Sequence, residues 1–371
     1  MTNQLIDKIK QLIAIESTAD NPKGLRQAYD FMVDFIKSSG KTITIEPFER
    51  NGKSSFLAYR AKTRPKQFDL IFNGHVDVVP GEAQQYKALV KDNKLYGRGV
   101  YDMKAAAVIM ADIFCQFIDK IPFSLALQIV TDEESGGKNG TKLQVVEHGV
   151  RADFVIAGDC GRATDTYEIA NRAKGAILVE IGFQGQSAHG AYPWRGENAA
   201  IKAHRFIQEI HTHYPTPSEH TEASTVTVTG ITTKETAHNK TPGAAVVKLD
   251  ARYTIGDPNL SDRKKFAAFI KNLDPSAEIL TFHDFSPPYY ADPKNPSLLR
   301  LKAAAEMVEG QEFDLVQRNG SSDARFYGVV GNQACEFGVA GEHQHADNEY
   351  VPVKALDDYR ETLQRFLQAY L

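Results

Sequence analysis

The sequence predicts an α/β protein whose mostly parallel sheet is built from both ends of the chain, with a ferredoxin-like α+β module inserted between them. Three observations carry that prediction. Apolar strand-like runs alternate with helical periodicities over the first half of the chain. Near residue 175 the texture changes to a β-α-β-β-α-β order, and alternation resumes only after the Pro-rich stretch "SPPYYADPKNP". At 371 residues the chain also exceeds what one small core usually serves.

Taken in order, Leu5, Ile6, Ile9, Leu12 and Ile13 recur at helical spacing, as do Leu25, Ala28, Phe31, Met32, Phe35 and Ile36, with Gly40 suited to close that helix. The runs "TITIE", "FLAYR" and "FDLIFNG" read as strands. "AAAVIMADIFCQFI" is apolar on every face and reads as a buried helix. "SLALQIV" is a strand, "KLQVVEHG" a helix closed by Gly149, and "DFVIAG" another strand. The inserted module comprises "AILVEIGFQG", a helix from about Asn198 to Ile210, "STVTVTGI", "AAVVKLDARYTI" and a helix from Asp262 to about Ile270. "SPPYYADPKNP" reads as a linker. The last helix places Leu356, Tyr359, Leu363, Phe366 and Leu367 on one face. The expected boundaries are 1–173 and 285–371 for the larger domain and 174–284 for the module.

The composition, 42% hydrophobic and 24% charged with a net charge of −4, is that of an ordinary globular protein. No basic run or aromatic-basic interleaving marks a nucleic-acid surface, so no nucleic-acid partner is expected. Cys115, Cys160 and Cys335 are odd in number and far apart, which argues against a disulfide framework or a cysteine metal site. The charged, amphipathic N-terminus is neither a signal peptide nor a membrane span, and the cytoplasm is the expected setting.

Five stretches place His, Asp or Glu where strands end, and open α/β sheets gather ligands there. In "NGHVDVVP" an extended H-x-D puts His75 and Asp77 on one side, so Asp77 can hold the second imidazole nitrogen. In "YGRGVYDMKAAA" Asp102 precedes a helix and taken alone fits an N-cap equally well. "TDEESGG" sets three acids after a buried strand. "VIAGDCG" ends in Asp159, which alone reads as a turn residue. "GEHQHADNEYV" offers His343 and His345. Histidine and carboxylate donors without cysteine suit zinc, or cobalt or manganese, and two histidines with several carboxylates are enough for two ions.

In order and spacing, "GHVDVVP", "LYGRGVYDMK", "TDEESGG", "GQSAHGAYP" and "HADNEYV" resemble the dinuclear-zinc M20 metallopeptidases, over nearly the whole chain. That family includes succinyl-diaminopimelate desuccinylases, acetylornithine deacetylases, aminoacylases and glutamate carboxypeptidases. The resemblance implies His75 and Asp159 on one ion, Glu134 and His345 on the other, and Asp102 bridging them, often followed by a cis peptide. His343 is a rival for the last ligand, though the H-x-x-N-E spacing favours His345. Asp77 would orient His75. Glu133 would be the general base, taking a proton from a metal-bridging water and passing it to the leaving amine. Asp102, Glu134 and Asp159 contribute −3 against +4 from two ions, and a bridging hydroxide brings the sum to zero. Without metal, at least one acid should take up a proton. Asp132 has no implied catalytic role and is expected to hydrogen-bond within its loop.

The resemblance also gives the inserted module a role as lid and dimerisation domain. His189 would enter the partner subunit's site to stabilise an oxyanion, so a homodimer is expected. Trp194, the sole tryptophan, suits either that lid or simple packing. Asn239, Arg252 and Arg325 resemble substrate-binding positions, and an arginine fork suits a substrate carboxylate; each arginine also fits a plain surface ion pair. The implied activity is hydrolysis of an amide next to a free carboxylate, in an N-acyl amino acid or a small peptide. Ala173-Lys174 stands where desuccinylases carry paired arginines.

Overall fold

The computed structural model describes residues 3–159, 162–233, 235, 237–320 and 322–371, so Cys160 lies outside the described residues. The chain divides into two compact units, one comprising Met1–Arg172, Tyr289–Val316 and Ser322–Leu371, the other Ala173–Pro288 and Gln317–Ser321.

The first unit is organised by a mixed sheet. Its strands run in the order Thr44–Arg50, Lys53–Tyr59, Leu125–Val130, Phe68–His75, Ala152–Ala157, Gln333–Glu336, Glu168–Ala173 and Tyr289–Tyr290. The four central strands, Leu125–Val130 through Gln333–Glu336, are mutually parallel, and antiparallel strands flank them. His75 pairs in register with Val130, and Asn73 with Ala157. Three neighbouring strands therefore end at one edge, and the residues after them emerge together.

Burial explains the sequence texture here. The helix Ala105–Phe117 is buried around nearly its whole circumference, as its lack of a polar face requires. The closing helix Val353–Gln368 buries Leu356, Tyr359, Leu363, Phe366 and Leu367, the stripe read from its spacing. Asn295 caps the helix Pro296–Glu309, its side-chain oxygen accepting from the amides of Ser297 (2.8 Å) and Leu298 (3.2 Å). A cap of this kind is worth about 1 kcal/mol.

The second unit is a four-stranded antiparallel sheet in the order Thr225–Thr233, Ala244–Tyr253, Gly175–Gln184 and Glu278–Ser286. The helices Ala199–His213 and Arg263–Leu273 interleave with these strands in the ferredoxin-like order. Asn198 and Asp262 are their N-caps. Phe183, Phe206, Tyr253 and Phe266 fill the core.

Three local expectations change. The stretch read as a linker contains a short edge strand, Tyr289–Tyr290, and begins a helix at Pro296. "KLQVVEHG" forms only a single wide helical turn, Leu143–Glu147. A small sheet of Tyr350–Pro352, Lys94–Tyr96 and Leu89–Lys91 has no periodic signal, because its strands are too short to show alternation. Among the described residues no helix is long and apolar enough to cross a membrane.

Candidate active site

His75 ends its strand and is buried, and its ring is held at both nitrogens. Nδ1 lies 3.1 Å from the Asp77 carbonyl and 3.5 Å from the Asp77 carboxylate. Nε2 lies 2.9 Å from Asp102 Oδ1. Asp77 does more than the H-x-D spacing suggested. Its two carboxylate oxygens accept the backbone N–H groups of Glu133 (3.2 Å) and Glu134 (2.9 Å), which ties the first motif to the opening turn of the third.

Asp102 is not an N-cap. The helix that follows starts at Ala105 with no side-chain cap, and the backbone at Asp102 and Met103 is non-helical, with a cis peptide between them. The carboxylate is thereby released to the site. Its Oδ2 accepts from Gln344 Nε2 at 2.6 Å and lies 3.0 Å from His345 Nε2, which is in turn 3.2 Å from Glu134 Oε1.

These contacts define two sets of donor atoms, His75–Asp102–Asp159 and Asp102–Glu134–His345, each within 4.8 Å of one another, with Asp102 common to both. Donors about 2.0–2.1 Å from a tetrahedral ion sit roughly 3.3 Å apart. The observed spacings of 2.9–3.2 Å around Asp102 fit that demand, and the all-His/carboxylate chemistry suits a hard or borderline divalent ion. His343, the rival for the last position, is exposed and packs its ring against Tyr350.

The electrostatics of the metal-free protein follow from this crowding. Burial pushes Asp159 well above the usual carboxylate range, and the charges of Asp102 and Glu336 push the same way. Burial likewise raises Glu133 well above its ordinary value, with Asp323 adding to it and the charges of His75 and Arg325 opposing. Burial would lower the His75 pKa, but its bonds to Asp102 and Asp77 outweigh that and hold it well above the ordinary imidazole value. Hydrogen bonds to Asp102 and then Glu134 raise His345 to about 10. Asp102 is held far below the usual range: burial opposes its charge, but His345 and His75 override it.

Glu133 and Glu134, adjacent in sequence, part company on the short 3-10 turn Glu133–Ser135. Glu134 faces His345, whereas Glu133 faces Arg325, whose Nη1 is 3.5 Å from its carboxylate. Asp132 organises the loop, its carboxylate accepting from the Asn139 amide at 2.7 Å and its carbonyl from that of Gly137 at 2.7 Å. Gly137 has a φ of +64°, and a Cβ there would lie 2.1 Å from Asp323 Oδ1, so only glycine fits.

Arg325 belongs to the first unit and is buried between Glu133 and Asp323. His189, Asn239 and Arg252 lie in the second unit. There the Gly190 amide donates to the Asn239 carbonyl at 2.6 Å, so His189 and Asn239 are neighbours, and both side chains are exposed. Arg252 instead pairs with Asp250 on its own strand, at 2.7 and 3.1 Å. Trp194 is 74% exposed beside Tyr192, which excludes a core packing role. Gln344 was not singled out from sequence; its only signal was its position next to His345.

The model of the peptidase family M20/M25/M40 matches residues 71–369. The chain belongs to that family. It is 27% identical to a succinyl-diaminopimelate desuccinylase of Dechloromonas aromatica over the full length of both chains. It is 26% identical to the enzyme of that name from Helicobacter pylori, over 87% of this chain and 90% of the relative. Among solved structures, the aminopeptidase PepT of Bacillus cereus superposes with a TM-score of 0.80 at 20% identity, covering 99% of this chain and 98% of that one. An M20 metallo-carboxypeptidase from Sulfolobus solfataricus gives 0.77 at 16% identity, over 100% and 99%. The protein is a metal-dependent hydrolase that acts on amide bonds.

Proposed function

We propose that the protein is a dinuclear-metal amidohydrolase that cleaves an amide next to a free carboxylate in a small N-acyl amino acid or peptide. The observation that carries this reading is the sharing of Asp102 between two donor sets. His75 and Asp159 would hold one ion, Glu134 and His345 the other, and Asp102 would serve both. Zinc suits this donor set best, with cobalt or manganese as substitutes. When bound, the ions supply Lewis acidity for activating water and polarising the amide carbonyl. Glu133 is the general base: it takes a proton from the attacking water and delivers it to the leaving amine. Asp77 fixes the His75 ring and, through two amides, the turn that carries Glu133.

His189 accepts the Ala191 amide at Nδ1 (3.1 Å), which leaves the neutral ring's proton on Nε2 as a donor for a developing oxyanion. This contact is made across a homodimer formed through the second unit, with Asn239 beside it. Arg325 and Arg252 receive substrate carboxylate groups, Arg252 by exchanging its Asp250 partner. The setting is cytoplasmic.

A second reading, peptide rather than N-acyl hydrolysis, is favoured by Lys174. Its side chain is buried, with Nζ donating to the Thr221 carbonyl at 2.8 Å, and so is committed within the second unit. Hydrolysis assays over N-succinyl-diaminopimelate, N-acetylornithine, other N-acyl amino acids and dipeptides, with and without chelator, separate the two. Chelator-insensitive turnover, or none on any substrate, would overturn the proposal. In Glu133→Ala, kcat should fall roughly 10²–10⁴-fold with metal content retained; loss of metal instead would reverse the roles of Glu133 and Glu134.

A further inference from the structure

Glu349 lies four residues beyond His345 and is buried. Its carboxylate accepts four hydrogen bonds from the segment that presents Asp102. Oε2 accepts from Arg98 Nη1 at 2.8 Å and from the Gly99 amide at 3.0 Å. Oε1 accepts from the Tyr101 amide at 2.9 Å and from the amide of Asp102 itself at 3.3 Å. Arg98 then reaches the other side: its Nη2 donates to the His345 carbonyl at 3.2 Å. One buried ion pair thus grips the backbone of both Asp102 and His345. Gln85 adds to it, donating to the carbonyls of Ala346 and Asp347.

The loop needs such a grip. His343 and His345 both have φ of +63°, a left-handed conformation that non-glycine residues hold only where surrounding contacts impose it. His345 is also the more exposed imidazole, 46% against 2% for His75. His75, by contrast, is fixed by its strand and by Asp77.

We propose that the Arg98–Glu349 pair is a positioning device for the Asp102–Glu134–His345 ion, setting the distance between two donors that lie far apart in sequence. This inference rests on the dinuclear reading above. Loss of a group that orients metal ligands typically weakens metal affinity roughly 10–100-fold. Here the loss should be larger for the ion that needs His345 as well as the shared Asp102, because His75 of the other set is fixed by its strand and by Asp77.

The test is Zn²⁺ binding to the whole protein, measured by competition with a chromophoric chelator, for the wild type, Glu349→Gln and Arg98→Lys. Glu349→Gln presents an amide N–H₂ to donors that need an acceptor. Arg98→Lys is the milder change, keeping the charge beside Glu349 but losing the second nitrogen on the His345 carbonyl, and it decides the matter if Glu349→Gln does not fold. The expected result is a weaker step lowered roughly 10–100-fold and a tighter step lowered clearly less, with far-UV circular dichroism unaltered. Excess Zn²⁺ should restore kcat. The double variant should be no worse than Glu349→Gln, because the two residues act as a unit. Equal loss in both steps, or none, overturns the inference while leaving the dinuclear reading intact. A wild type that binds fewer than two ions overturns both.

Discussion

The two donor sets share Asp102 but are built in different ways. His75 and Asp159 follow neighbouring parallel strands, and His75 is almost completely buried, with Asp77 behind its ring. His345 lies on a loop with left-handed backbone, nearly half exposed, and meets Glu134 on a short turn. The first set is imposed by the sheet; the second is assembled from loops that other contacts must hold. Metal should therefore be retained unequally, and substitutions should separate the two sets.

The largest effect belongs to the shared residue. Asp102→Ala should abolish binding at both sets and with it activity, as metal analysis and turnover would show; retention of one ion would mean that the sets are independent. Next comes Asp77→Ala, which removes the carboxylate 3.5 Å from His75 Nδ1 and the acceptors of the Glu133 and Glu134 amides together, while the main-chain carbonyl on His75 stays. Metal affinity should drop roughly 10–100-fold and kcat should fall as well, measured by chelator competition and steady-state kinetics. A fall in affinity alone would limit Asp77 to the ring.

A smaller effect comes from pH. His345 in the metal-free protein is raised from the ordinary 6.5 to about 10. Its contribution to stability is therefore full below about pH 6.5 and is lost as pH rises towards 10. Glu133 and Asp159, raised by burial, act in the same direction, since their ionisation on the way up is resisted by the fold. Thermal unfolding of chelator-treated protein should move to lower temperature across that window, and added Zn²⁺ should offset the loss. A flat or rising profile without metal would contradict this account of the crowded site.

The strand-borne half of the site was more legible than the loop-borne half. H-x-D after a strand, and the acids after "SLALQIV" and "DFVIAG", carry their placement in local pattern, because parallel strands deliver their ends to one edge. The division between Glu133 and Glu134 came from the family resemblance, not from the local pattern, which sets three acids side by side. The Asp77 bonds to the Glu133 and Glu134 amides had no local signal, since they join segments more than fifty residues apart. The same holds for Gln344 on Asp102 and for Glu349 beneath the Asp102 loop. Asp102 shows where a local rule could not decide: an aspartate before a helix fits a cap as well as a metal ligand, and here the backbone departs from helical geometry and the carboxylate turns into the site. In the second unit, the helices were legible within the β-α-β-β-α-β order, whereas the pairing of Arg252 with Asp250 was only one of two readings.

The most direct test of the shared-aspartate account is the number of Zn²⁺ ions held per chain by the wild type and by His345→Ala, measured by elemental analysis after dialysis against buffered metal. The account predicts two ions in the wild type and one in the variant, the retained ion being the one held by His75, Asp102 and Asp159. A single ion in the wild type that survives His345→Ala unchanged would contradict it.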